Sequence, residues 1–203
     1  MAEVNALNVA DAPELWREMG FQIDAGVAVV SGVRHVLGGP GTGIGSWEIS
    51  GPSGFTELPT VCGERSDTPA TPTHPNGVCA LDHVVVMTPD LSRTIAAFEA
   101  GGMPLRRTRD VGSSAHPMTQ AFFKLGHVVL EIVGSPTESG AGPARFWGLT
   151  FTVRDLEATE SLLGQQLRPS KPAVQAGRRI ATLDRAVGSS VPIAFMSARP
   201  PRP

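Results

Sequence analysis

Two residues of this 203-residue chain stand out from their surroundings: His83 within LDHVVVM and Glu131 within VVLEIVG. Alternate side chains of a strand share a face. His83 therefore projects with Val85 and Met87, and Glu131 with Val129 and Val133. A carboxylate inside an apolar strand is costly unless it meets a partner, a proton or a wet cavity, so an inward-pointing Glu131 marks a pocket. With a raised pKa it would serve as a general base, abstracting a proton next to a carbonyl. A neutral imidazole and an ionised carboxylate are also suitable ligands for Zn, Fe, Mn or Ni; the alternative for His83 is a hydrogen-bonded core histidine. Gln120, in TQAFFKLG, could orient a substrate or be an exposed strand amide. Phe123 and Trp147 are expected to line the cavity. His35 and His127 fall on strand-like segments, and His74 and His116 fall in loops, where they are expected to be solvated. Arg106, Arg107, Arg109, Arg178 and Arg179 could clamp a carboxylate or phosphate, with a solvated face as the plainer reading.

The elements that must position these groups are short. Two stretches rich in Pro, Gly, Ser and Thr, 52–80 and 135–144, lack apolar periodicity and read as connectors. They separate three similar segments: 1–51, 81–134 and 146–198. The second opens with LDHVVVMTPDL and the third with FWGLTFTVRDL, each an apolar strand ending in Asp-Leu; VNALNVAD at the start of the chain is a weaker copy. After each Asp the pattern turns helical, over 13–19, 91–100 and 156–163. Asp90 and Asp155 stand where N-caps belong. Each segment then closes on strands, ending in SWEISG, VLEIVG and PIAFMS. The order strand–helix–strand–strand–strand recurs three times, which predicts an α+β protein of repeated βαβββ modules forming a cupped mixed sheet with helices outside. The first module is expected to be degenerate.

This repeat resembles the vicinal oxygen chelate superfamily, the glyoxalase and bleomycin-resistance type. LDHVVVMTPDL is similar to that family's opening strand, whose His is typically a metal ligand, and VVLEIVG to its closing strand, whose Glu is typically another. The resemblance implies that two modules pair into a cup where a divalent metal chelates vicinal substrate oxygens. Aligned on Asp90 and Asp155, however, His83 corresponds to Gly148 and Glu131 to Ala194, so the third segment supplies neither ligand. Glu48 in SWEISG matches Glu131 and could complete a trio with His83 and Glu131. Two functions follow. One is a metal-dependent lyase, isomerase or dioxygenase acting on a small oxygenated substrate. The other is a metal-free, small-molecule binding or sequestering protein of the bleomycin-resistance type. Three modules leave one unpaired, which suggests a homodimer.

Composition narrows the field. Lys and Arg number 17 against 19 Asp and Glu, a net charge of −2 without the basic footprint of a nucleic-acid binder. No apolar run approaches the ~18 residues of a membrane span, and the first twenty residues lack a signal peptide's basic start and apolar stretch. Two cysteines, Cys62 and Cys79, are too few for a disulfide scaffold and are expected to be free thiols. A cytoplasmic protein with a small-molecule ligand is the expectation. GGPGTGIG at 38–45 lacks the following helix that a phosphate loop needs and reads as a hairpin connection.

Overall fold

The carboxylates of Asp90 and Asp155 start two helices as their spacing predicts. Asp90 accepts the backbone N–H of Arg93 at 2.9 Å, and Asp155 that of Ala158 at 3.1 Å, satisfying donors that the first helical turn leaves free. The first of these helices buries Leu91, Thr94 and Phe98, the second Leu156, Thr159 and Leu163.

The computed structural model describes residues 2–51, 57–64, 70 and 72–200. The first segment forms β1 (Glu3–Val9), α1 (Pro13–Glu18), β2 (Val27–Val30), β3 (Val33–Leu37) and β4 (Ile44–Ser50), followed by β5 (Thr60–Cys62). The second forms β6 (Val78–Met87), α2 (Leu91–Ala100), β7 (Arg107–Gly112), β8 (Pro117–Leu125) and β9 (Val128–Gly134). The third forms β10 (Arg145–Val153), α3 (Leu156–Leu163), β11 (Lys171–Pro172), β12 (Arg179–Thr182) and β13 (Ile193–Ser197). The architecture is mixed α+β, with strand-rich curled sheets and few helices.

The second and third segments build one eight-stranded sheet, β11-β12-β13-β10-β6-β9-β8-β7. Its centre is the antiparallel pair β6–β10, and each of these strands runs parallel to the closing strand of its own segment, β9 or β13. Thr150 stands opposite His83 and Gly148 opposite Val85. In this two-fold arrangement His83 and Gly148 hold equivalent places, as do Glu131 and Ala194. One face carries His83, Val85, Glu131 and Thr150 and forms the cup. Phe151 and Phe195, paired in register, occupy the other face and are fully buried.

The first segment keeps the element order but pairs differently. Its sheet runs β2-β3-β1-β4-β5. β1 is parallel to β3 and antiparallel to β4, and β4 in turn is parallel to β5. The closing strand beside β1 is therefore β3, and β4 holds the place of a second opening strand. SWEISG and VLEIVG thus occupy different topological positions despite their likeness, because a short strand sequence carries no record of whether its neighbour is parallel. β5 also falls inside the stretch read as a connector. The 38–45 segment is not a hairpin: β3 and β4 lie on opposite sides of β1, and the chain crosses the end of β1, where Gly39 N–H bonds Val9 C=O at 3.1 Å. β1 is paired on both sides, so the edges of this sheet are β2 and β5.

Aromatic packing joins the sheets. Phe151 lies 5.2 Å from Phe21, 5.4 Å from His35 and 6.1 Å from Trp16, centroid to centroid. Trp47 is wholly buried against Phe146 and Phe98. A polar tie reinforces this contact: buried Asp11 accepts hydrogen bonds from Trp16 Nε1, Ser189 Oγ and the Ser190 backbone. Among the described residues no helix is long and apolar enough to cross a membrane.

Candidate functional site

Two β-bulges aim the side chains that furnish the cup. In the β6–β10 ladder Thr150 opposes His83 and Phe151 opposes Leu81, leaving Asp82 as an additional residue of β6. Phe146 opposes Val86 and Gly148 opposes Val85, leaving Trp147 as an additional residue of β10. Asp82 and Trp147 hold equivalent positions in the two segments, one residue before His83 and Gly148. Strict alternation would send Asp82 and His83 to opposite faces; the bulge turns both toward the cup.

A line of polar groups results. Asp82 Oδ1 lies 3.0 Å from His83 Nδ1, and His83 Nε2 lies 3.6 Å from Glu131 Oε2. Gln120 Nε2 donates to Glu131 Oε1 at 2.5 Å, and Gln120 Oε1 accepts from Arg109 Nε at 2.8 Å. Behind Asp82, the buried Arg178 donates from Nη1 to Asp82 Oδ2 at 2.7 Å, from Nη2 to Thr152 Oγ1 at 2.9 Å, and from Nε to the Ser197 carbonyl at 2.7 Å. Thr152 Oγ1 in turn donates to Asp82 Oδ2 at 2.9 Å. Burial opposes ionisation of Asp82, but the hydrogen bonds from His83 and Arg178, with the Arg178 charge, outweigh it and hold the carboxyl well below the usual carboxylate range. An ionised carboxylate can only accept, so His83 Nδ1 carries a proton and presents Nε2 toward Glu131.

The line runs along the boundary of two contiguous cavities. The apolar one, about 420 Å³, is walled mainly by Val85, Met87, Val133, Trp147, Leu149 and Ile193. The basic one, about 300 Å³, has Arg107, Arg109, Lys171 and Arg199 among its walls, with Phe122. His83, Gln120, Glu131 and Ile180 belong to both.

Of the residues singled out in the sequence, His83, Glu131, Gln120 and Trp147 converge on the cup. Phe123 does not: it is almost wholly buried on the opposite face, 5.5 Å from Phe98, and the strand's alternation puts Phe122 beside Gln120 instead. Glu48 also lies elsewhere, on β4 of the other sheet, 2.8 Å from Arg34 Nη2. Arg178 is buried rather than solvated. So is His74, whose Nδ1 accepts the Gln22 N–H at 3.0 Å while Nε2 bonds the Val29 carbonyl at 3.0 Å. His127 and His116 are exposed in turns. Both cysteines are free thiols. Asp82 escapes sequence reasoning because a bulge leaves no mark in an alternating apolar pattern.

The donors do not fit a catalytic metal. Such sites take about three protein ligands converging on one point. Here the imidazole lies between Asp82 and Glu131, so the two carboxylates approach opposite nitrogens. Among the described residues no group of three or more His, Cys, Asp or Glu side chains could hold a metal ion. The equivalent positions offer no donor, and Gly148 cannot gain one: a Cβ there would sit 2.7 Å from the Pro192 carbonyl oxygen. That oxygen is held by Leu149 N–H at 2.9 Å. Gly148→Ala is expected to cost about 1–3 kcal/mol through overpacking, read as a lower urea midpoint; an unchanged midpoint would show that the strands move apart freely.

No family model and no curated protein matches the sequence. Solved structures do. A triple mutant of 4-hydroxymandelate synthase from Streptomyces coelicolor superposes with a TM-score of 0.65 at 13% identity, covering 99% of this chain and 94% of that one. Methylmalonyl-CoA epimerase from Mycobacterium tuberculosis gives 0.47 at 20% identity, covering 61% and 91%. The Streptomyces coelicolor epimerase in complex with 2-nitronate-propionyl-CoA gives 0.47 at 16%, covering 61% and 99%. At 13% identity the likeness to the synthase concerns the fold alone. With its paired βαβββ halves and central β6–β10 seam, the chain has the glyoxalase-like fold of the vicinal oxygen chelate superfamily.

Proposed function

We propose that the cup performs metal-independent acid–base chemistry on a small carbonyl compound, of the isomerase or lyase type, with His83 as base, Asp82 as its positioning residue and Glu131 as the second carboxylate. The observation that carries this reading is the Asp82–His83–Glu131 line at the junction of the two cavities. His83 Nε2 takes a proton from the carbon next to the carbonyl, and the C–H electron pair moves into an enolate. The imidazolium so formed lies between two carboxylates, which stabilise it by charge. Return of the proton to the same or a neighbouring carbon regenerates the imidazole, so no co-reactant is consumed.

Deuterium uptake from D2O into small 2-oxo acids, followed by proton NMR, tests this. Exchange above the buffer rate is expected, lost in His83→Ala, reduced in Glu131→Gln and unaffected by a chelator. Stoichiometric divalent metal in untagged protein, with chelator-sensitive exchange, would overturn the metal-independent reading. Ligand binding without exchange would favour instead a sequestering protein, a reading supported by the donor-free Gly148 and Ala194 half of the cup.

A further inference from the structure

We infer that the ligand of the cup is a small amphiphilic carboxylate, its apolar body in the apolar cavity and its anionic head among Arg107, Lys171 and Arg199 in the basic one. This rests on the cup being the functional site and adds the chemical class of what it holds. The chain carries a net charge of −2, yet four cationic side chains gather in one cavity wall. The two acids of that wall are already engaged: Asp82 with Arg178 at 2.7 Å, and Glu131 with Gln120 at 2.5 Å. Arg109 is held by Gln120. Among the described residues Arg107, Lys171 and Arg199 have no acidic ion-pair partner. Mutual repulsion among unpaired cations is relieved by an anion, and the field inside a cavity is focused rather than dispersed in bulk water.

Phe122 prepares the basic cavity for a planar head group. The guanidinium carbons of Arg107 and Arg109 lie 4.6 Å and 5.5 Å from its ring centroid. Stacking on an aromatic ring restrains a guanidinium while leaving its N–H edge free, the arrangement that suits a carboxylate. The apolar cavity supplies the other half of the recognition. Its walls meet the basic cavity at His83, Gln120, Glu131 and Ile180, so one molecule spanning both places its middle atoms against His83.

Calorimetric titration of the whole protein with 4-phenylbutanoate, 4-phenylbutan-1-ol and 4-phenylbutylamine separates the possibilities. The carboxylate should bind at least about tenfold more tightly than the alcohol, with affinity falling as salt is raised, and the amine should bind most weakly. Arg107→Gln and Lys171→Gln should each weaken carboxylate binding about five- to tenfold and leave the alcohol unchanged. Equal binding of carboxylate and alcohol, preference for the amine, or no binding of the carboxylate would overturn the inference. Should His83-dependent deuterium exchange persist on neutral carbonyl compounds in that event, the acid–base reading stands and only the ligand class fails. Binding as expected with no exchange on any 2-oxo acid has the opposite meaning: the ligand class stands and the proton-transfer chemistry fails.

Discussion

Arg178→Met is expected to destabilise the protein by about 3–5 kcal/mol, the effect of stranding one member of a buried ion pair. The Arg178 side chain is 1% exposed and its partner Asp82 14%, so water cannot replace the lost contacts. Three hydrogen bonds disappear together, to Asp82, Thr152 and the Ser197 carbonyl, and the last leaves a strand carbonyl without its donor. Lysine is no substitute, because one ammonium cannot reach three acceptors arranged for a planar fork. The double variant Asp82→Asn/Arg178→Met should recover part of the loss, since the buried charge goes with its partner. Urea unfolding of the four species measures the coupling. A single variant within 1 kcal/mol of the parent, an order-of-magnitude threshold for a weak pair, would mean that the line behind His83 is not structurally anchored.

Stability should also fall steeply between pH 6.5 and pH 4 because of His35. Burial lowers its pKa to about 4, only partly offset by hydrogen bonding to the Ala28 and Val33 backbone. The ring is wholly buried among Trp16 and Phe151, with Nδ1 3.3 Å from the Ala28 carbonyl and Nε2 without a partner among the described residues. The unfolded chain takes up a proton near pH 6.5 that the folded chain refuses until about pH 4. Over that window the unfolded state binds more protons, so stability rises with pH and is lost on acidification. The difference amounts to about 3 kcal/mol at full extent. His74 acts in the same direction, its pKa lowered by burial despite its bond to Val29. His35→Leu should remove most of the slope, as read from urea unfolding at a series of pH values. An unchanged slope would locate the acid sensitivity elsewhere, and proton NMR of the parent's histidine rings would then show His35 titrating normally.

Both expectations depend on residues whose roles are invisible in their local sequence. Arg178 sits in AGRRIATL beside the exposed Arg179, and nothing in that stretch says which of the two turns inward. His35, in VRHVL, alternates correctly for a strand, but the face it shares becomes buried only when a second sheet packs on it. His74 lies among Pro and Thr residues that carry every mark of solvated chain.

The helices and the two clear repeats were legible because their signals are local. Asp-Leu at a strand end followed by helical spacing dictates an N-cap and an amphipathic turn, wherever the segment later packs. The repeat also located His83 and Glu131, since an ionisable group in an apolar strand is conspicuous by itself. Tertiary structure decided how these groups are arranged. The bulge that brings Asp82 to His83 depends on register against β10, and register is a relation between strands far apart in the chain. The same non-local choice pairs β1 with both β3 and β4, which carries Glu48 away from the cup and leaves His83 flanked by two carboxylates that do not converge. Residue types and spacing supplied an imidazole and a carboxylate; only strand pairing determined that His83 lies between Asp82 and Glu131, with one carboxylate at each ring nitrogen.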